Sequence, residues 1–189
     1  MKIKYILIFV SIALSFNSYA SDTRGISIGG SFGNISYDSS GSDIMLDKSD
    51  STYSVIGQLR INSGIGIEAT FGNFGEYESS LSTTQYSGLT ASFVGNTDKY
   101  YGIQAFGKAG IGILTMTQRI QVFGVEVENK SVGDMLLASG GLAYTIKSLP
   151  QLTLRVSYDY YYFRTAGVVS GSEKNNNLTA TSIGVLLNF

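Results

Sequence analysis

Hydrophobic and polar residues alternate with a period of two along most of this chain. Residues 152–163 show the pattern most clearly: the even positions are Leu, Val or Tyr, whereas Thr153, Arg155, Ser157 and Asp159 stand at odd positions. Successive side chains of a β-strand point to opposite faces, so the alternation predicts strands rather than helices. The predicted strands are 25–37, 52–61, 65–73, 86–95, 100–116, 135–146, 152–163 and 178–189.

The connections between the predicted strands alternate between long and short. Segments 38–50, 74–85, 117–133 and 164–177 are long, whereas 62–64, 96–98 and 147–150 are short enough for tight turns. In an up-and-down sheet this order places every long loop at one end and every short turn at the other. Short periplasmic turns and longer extracellular loops are typical of barrels in the bacterial outer membrane.

The charged residues of the predicted strands share a face with glycine, serine and threonine. They are Arg60, Glu68, Lys108, Arg155 and Asp159. An eight-stranded barrel has an interior just wide enough for side chains, so small and charged residues belong inside and bulky apolar ones outside, against lipid. A soluble ligand-binding barrel such as a lipocalin is the structural alternative, with the apolar face inside. The pattern favours an all-β fold, an eight-stranded antiparallel up-and-down transmembrane β-barrel.

The last eight residues resemble the C-terminal insertion signal of bacterial outer-membrane barrels. The matching positions are Ser182, Gly184, Leu187 and Phe189. The resemblance implies that the barrel-assembly machinery reads this strand during biogenesis. If the last strand pairs with the first, the barrel closes and no apolar sheet edge remains exposed.

Residues 1–20 are typical of a secretory signal peptide. Lys2 and Lys4 precede a short apolar core at 5–14, and Ser18-Tyr19-Ala20 fits a small-x-small cleavage site. The apolar core is too short for a membrane-spanning helix. We expect a signal peptide at 1–20 and a single barrel domain at 21–189.

The amino-acid composition excludes several kinds of catalytic and metal-binding site. The chain has no cysteine, which excludes disulfides and thiolate metal sites, and no histidine, which excludes Ser–His and Asp–His arrangements. We therefore expect a non-enzymatic protein without a cofactor or metal. The remaining catalytic alternative is a Ser–Lys pair that uses Lys108, but we expect this lysine to form a salt bridge in the lumen.

The net charge argues against nucleic acid as a partner. Removing the two lysines of the signal peptide from 13 basic residues leaves 11 basic residues against 14 acidic ones, a net charge of −3.

The predicted mature chain resembles the OmpA-type eight-stranded barrel family, which includes OmpX-like and opacity-type proteins. The resemblance is carried by the stretches at 25–33, 66–69, 107–112 and 155–160. It implies a location in the outer membrane of a Gram-negative bacterium, in contact with membrane lipid. Because the chain ends at Phe189, we expect no peptidoglycan-binding domain.

The five charged residues of the predicted lumen allow two interpretations. Arg60 and Glu68 lie nearly diagonal across the turn at 62–64, and the other three could join them. We favour an ion-pair plug that neutralises charge inside a narrow barrel over an ion pathway, which would make the protein a small low-conductance channel. A general porin needs about 16 strands.

The third long loop contains a candidate interaction segment. Its apolar residues are Ile120, Val122, Phe123, Val125 and Val127. They resemble a hairpin that continues the fifth and sixth strands above the membrane, where it would offer a sheet edge to a host or surface ligand. The alternative is a rigid loop packed on its neighbours. The function expected is that of a structural surface protein, with adhesion through the long loops.

Overall fold

A computed structural model describes residues 25–38, 49–79, 82–122, 125–166 and 173–189. Within these residues the chain forms eight strands. They are β1 (Gly25–Asp38), β2 (Ser49–Arg60), β3 (Ile65–Ser79), β4 (Ser82–Asn96), β5 (Ile103–Val122), β6 (Val125–Thr145), β7 (Leu152–Ala166) and β8 (Glu173–Asn188). Each strand pairs antiparallel with its neighbours in sequence, and β1 pairs with β8, which closes the barrel. The predicted eight-stranded antiparallel architecture is confirmed.

In the described part of the chain no helix has the length and apolar character needed to cross a membrane.

The closure between β1 and β8 depends on glycine. A Cβ atom at Gly29 would overlap the carbonyl oxygen of Val185, and one at Gly33 would overlap that of Thr181. Glycine lets the two backbones approach this closely. At the periplasmic end, the backbone N–H of Phe189 donates a hydrogen bond of 2.8 Å to the carbonyl of Ile26, so the chain terminus is tied to the first strand.

The two faces of the wall have opposite chemistry, as the alternation predicts. Large apolar side chains stand on the outer wall, where Phe93 is 71% exposed and Ile111 and Ile183 are each 67% exposed. Glu68, by contrast, points inside and is fully buried. An exposed apolar belt of this extent indicates contact with lipid rather than water. The soluble ligand-binding barrel would require the reverse orientation.

One of the four predicted long loops, 74–85, is wrong, whereas 117–133 forms the hairpin that was expected to continue the fifth and sixth strands. Residues 74–85 and most of 117–133 belong to strands, so that β3 and β4 are separated only by 80–81 and β5 and β6 only by 123–124. Segment 74–85 looks like a loop in the sequence because its residues do not alternate regularly: a β-bulge between Asn73 and Glu76 interrupts the period of two. A transmembrane strand needs about 9–11 residues, whereas β5 has 20 and β6 has 21.

The extra length forms what we call the protruding sheet, residues 76–79, 82–85, 115–122 and 125–134. In it β4 pairs with β3 on one side and β5 on the other, and β5 pairs with β6. The three short turns are confirmed, at 61–64, 97–102 and 146–151. The fourth predicted loop, 164–177, is shorter than expected because β7 and β8 extend into it. Most of the first, 39–48, lies outside the described residues.

Candidate functional site in the lumen and on the protruding sheet

Four charged side chains meet in the middle of the lumen, and we call them the lumen quartet: Glu68, Lys108, Arg155 and Asp159. Lys108 Nζ lies 3.0 Å from Glu68 Oε1 and 3.1 Å from Asp159 Oδ1. Arg155 Nη1 donates a hydrogen bond of 2.6 Å to Glu68 Oε2. All four residues are buried. Two carboxylates face two cations, so the quartet has no net charge.

Neighbouring side chains support the quartet. Thr70 donates to Glu68 Oε1 at 3.2 Å, and Ser157 donates to Asp159 Oδ2 at 3.0 Å. The guanidinium carbon of Arg155 lies 4.1 Å from the ring centroid of Phe106, a cation–π contact. A cavity of about 20 Å³ beside the quartet has room for about one water molecule.

Arg60 is not brought into this cluster. Glu68 is opposite Gln58, whereas Arg60 is opposite Gly66, at the last residue of β2. In the described part of the chain Arg60 makes no ion pair. Arg60 lies diagonal to Glu68 as expected, but the expectation that it belongs to the ion-pair network of the lumen is wrong. Arg60 is half-exposed at the periplasmic rim, where water can solvate its guanidinium.

An aromatic layer fills the lumen on the extracellular side of the quartet. Its rings belong to Tyr37, Phe74, Tyr77, Tyr86, Tyr161 and Phe163. Phe74 and Tyr161 lie 4.8 Å apart between ring centroids, and Tyr86 lies 5.9 Å from Phe163. Aliphatic side chains, among them Ile35, Leu114 and Leu178, complete the layer. It fills this part of the lumen mainly with aromatic and aliphatic side chains, which the alternation of small and charged residues did not predict.

The inward position of some rings of the aromatic layer could be predicted from the sequence, and that of others could not. Tyr161 and Phe163 occupy inward positions of β7, so strict alternation would have placed them inside. Phe74 and Tyr77 are three residues apart, and regular alternation cannot turn both inward. The register shifts between Asn73 and Glu76, where Gly75 adopts a φ of +89°. This β-bulge turns both rings into the barrel.

The protruding sheet has a free edge on β6. Pairing between β6 and β7 stops at Met135 and Phe163, whereas β6 continues to pair with β5 as far as Val125. Among the described residues, segment 125–134 of β6 therefore pairs with a strand on one side only. We call this segment the β6 edge. An unpaired strand edge offers backbone N–H and C=O groups to another chain.

The opposite edge of the protruding sheet, on β3, is short and capped. Asp50 Oδ2 accepts a hydrogen bond of 2.6 Å from the backbone N–H of Glu76. This bond lowers the pKa of the Asp50 carboxyl below its usual value. The bulge at Gly75 also bends the strand there. Within the described residues, the edge on β6 is the longer of the two.

The β6 edge is charged on its outer face. Glu128 lies 3.5 Å from Arg119 on β5 and 2.9 Å from Lys130 on β6. The hydrogen bond from Lys130, followed by its charge and by Arg119, lowers the pKa of the Glu128 carboxyl. Val127, on the opposite face, is 51% exposed.

The residues of the predicted interaction segment lie at the top of the protruding sheet. Ile120 pairs with Val127, and Val122 pairs with Val125, so they form one hairpin. Phe123 lies outside the described residues.

Three residues of the predicted insertion signal lie in β8, and Phe189 follows directly after it. Ser182 is buried in the lumen and shares a hydrogen bond of 2.9 Å with Ser157. A Cβ at Gly184 would lie 3.0 Å from the carbonyl oxygen of Gly30. Leu187 and Phe189 are partly exposed on the outer wall.

A closed eight-stranded barrel with an apolar outer wall and a charged interior defines the class of small outer-membrane β-barrels. The chain belongs to the family described as outer membrane protein beta-barrel domain, whose model matches residues 6–189. No curated protein matches the chain by sequence.

Solved structures with the same fold include three bacterial proteins. Neisserial surface protein A matches with a TM-score of 0.69 and 15% identity over 91% of this chain and all of that one. Ail of Yersinia pestis matches with a TM-score of 0.58 and 16% identity over 88% of this chain and 99% of that one. OprG of Pseudomonas aeruginosa matches with a TM-score of 0.58 and 14% identity over 88% and 96%.

These findings place the protein in the outer membrane of a Gram-negative bacterium, with its apolar wall in membrane lipid. The alternative of a soluble ligand-binding barrel is wrong. The signal peptide at 1–20 lies outside the described residues and stays a prediction, as does recognition of β8 by the barrel-assembly machinery.

Proposed function

We propose that this protein is a non-enzymatic surface protein that binds a partner polypeptide at the β6 edge, by addition of a strand to the protruding sheet. The observation that carries the proposal is the end of β6–β7 pairing at Met135, which leaves residues 125–134 with one neighbouring strand in the part of the chain that the structure describes. Strand addition uses backbone hydrogen bonds for affinity and alternate side chains for specificity. A host or surface polypeptide is the expected ligand.

The interior packing argues against the low-conductance channel. The lumen quartet joins β3, β5 and β7 across the lumen through direct ion pairs. The aromatic layer then closes the extracellular side with buried rings. An ion would have to separate the quartet and displace the rings in turn. We therefore assign the quartet and the aromatic layer a structural role as a plug.

The chemistry of the lumen also argues against an enzyme. The full chain has no histidine, so it lacks the base most often used to activate a serine. Lys108, the remaining candidate for a Ser–Lys pair, is held between the carboxylates of Glu68 and Asp159. Its place in the quartet fits charge neutralisation better than proton transfer.

The comparisons support a role at the cell surface. Ail is described as the attachment invasion locus protein of Yersinia pestis and has been solved with a heparin analogue, sucrose octasulfate. A polyanion of this kind is not the ligand that we expect here. On the protruding sheet both Arg119 and Lys130 are ion-paired with Glu128.

Shortening the β5–β6 hairpin tests the proposal. Replacing residues 118–129 by Asn-Gly joins Thr117 to Lys130, which already face each other, through a turn suited to a hairpin. Bacteria that express the shortened protein should lose the adhesion to cultured epithelial cells that the unaltered protein confers, because the tip and half of the β6 edge are gone.

The control for this experiment is Phe93→Ala, which changes the lipid-facing wall far from the hairpin. Both variants should migrate differently on a gel before and after boiling, as a folded barrel does. Adhesion that survives the shortening, or an unaltered protein that confers none, would contradict the proposal.

A further inference from the structure

We propose that the β6 edge binds, besides a host polypeptide, the β6 edge of a second copy of this protein, carried by a facing membrane. This inference rests on the proposed function, since it names a further partner for the same edge. The two edges would pair antiparallel about a two-fold axis at Asn129. The result is a continuous sheet that links the protruding sheets of two barrels and holds two membranes together.

The charges on the edge are self-complementary in this register. Centring the antiparallel pair on Asn129 places Glu128 of each copy opposite Lys130 of the other. Both side chains stand on the outer face of β6 and are partly exposed, at 41% and 65%. Opposite charges directly across two strands stabilise the pair, and like charges destabilise it.

Neighbouring registers are less favourable. Residues directly opposite each other in a sheet point to the same face. The two-fold axis of a symmetric antiparallel pair therefore passes through a residue, and the neighbouring registers place this axis at the residue before or after it. A centre at Glu128 would place the two copies of that carboxylate opposite each other. A centre at Lys130 would oppose the two lysines. In the register centred on Asn129, the other face pairs Val127 with Ser131, and no position from 127 to 131 meets a like charge.

The direction of the strands requires facing membranes. In one membrane every copy has the same orientation, so two β6 edges would run parallel. A parallel pair in register would bring Glu128 beside Glu128 and Lys130 beside Lys130, which repels. Antiparallel pairing inverts one copy relative to the other, so it belongs in an opposite bilayer. The paired segment 125–133 spans roughly 30 Å at about 3.3 Å per residue, which sets the gap between the bilayers.

Exchange of the two charges tests the register. Glu128→Lys and Lys130→Glu proteins would each be placed in phosphatidylcholine vesicles, and vesicle clustering would be followed by light scattering. Vesicles with the unaltered protein should cluster. Each single variant alone replaces two opposite-charge pairs by two like-charge pairs, which we expect to weaken the association about tenfold. The double variant E128K/K130E should cluster like the unaltered protein.

The decisive sample is a mixture of the two single variants in vesicles with different fluorescent labels. The two lysines of the E128K protein would then face the two glutamates of the K130E protein, so mixed clusters containing both labels should form where neither variant clusters alone. Single variants that cluster as well as the unaltered protein, or a mixture that fails to cluster, would overturn the inference. Because adhesion to epithelial cells is measured separately, that failure would leave strand addition by another polypeptide open to its own test.

A cysteine at the proposed axis gives a second measurement. The chain has no native cysteine, so Asn129→Cys introduces a single thiol that would face its own copy. Mild oxidation of clustered vesicles should yield a disulfide-linked dimer on a gel without reductant. Thr115→Cys, on β5 away from the edge, should yield none. A dimer from both positions or from neither would contradict pairing at Asn129.

Discussion

Replacing Glu68 with alanine is expected to lower the free energy of unfolding by about 3–5 kcal/mol, the usual cost of removing one partner from a buried ion pair. Glu68 is fully buried and contacts both cations of the lumen quartet. Its loss leaves Asp159 as the only carboxylate of the quartet for Lys108 and Arg155. Urea titration of the protein refolded in lipid vesicles measures the change.

Arg60→Ala is the matched control for Glu68→Ala. It also removes a charge from an inward position of a strand, but in the described part of the chain this charge makes no ion pair. We expect a change within about 1 kcal/mol, as for exposed charges. Equal losses from the two variants would show that the quartet does not stabilise the barrel as a unit.

Replacing Phe163 with alanine is expected to cost about 3–5 kcal/mol, the range for removing a buried phenylalanine ring. Phe163 is fully buried in the aromatic layer and packs near Tyr86. The cavity left inside a closed barrel wall cannot collapse easily, because the backbone is held by pairing on both sides. The same urea titration applies.

Phe93→Ala provides the comparison for Phe163→Ala. Its ring is 71% exposed on the outer wall, where lipid chains can fill the space that the ring leaves. The loss should therefore be much smaller than at Phe163. A greater loss at Phe93 than at Phe163 would contradict the assignment of the aromatic layer to the interior.

Alternation was enough to predict the membrane part of the fold. In β7, Arg155 and Asp159 face the lumen and Val156 and Tyr158 face outward, as period two requires. The physical reason is strong, because a one-residue slip would turn Arg155 and Asp159 toward lipid. The pairing of β1 with β8 could also be predicted, because a closed barrel leaves no unpaired strand edge in the bilayer.

Alternation placed the charges of the lumen quartet on the inner face, but which of them form pairs depends on contacts between residues far apart in sequence. Lys108 and Glu68 are 40 residues apart, and Arg155 and Glu68 are 87 apart. Barrel stagger decides which inward residues meet, and local patterns do not specify it. Above the bilayer the requirement for an apolar outer face ends, so polar strands such as those around Thr84 and Gln118 look like loops in the sequence.

Contact between lipid chains and individual side chains is the most direct measurement of barrel orientation. In a lipid nanodisc, nuclear Overhauser transfer from acyl-chain methylene protons can be read residue by residue on the unaltered protein. Val156 and Ile183 should receive strong transfer, whereas Thr153, Ser157 and Ser182 should receive none, because they are enclosed by the barrel wall. Strong transfer to Ser157 and Ser182 with none to Val156 and Ile183 would contradict the orientation on which the fold, the plug and the free β6 edge all depend.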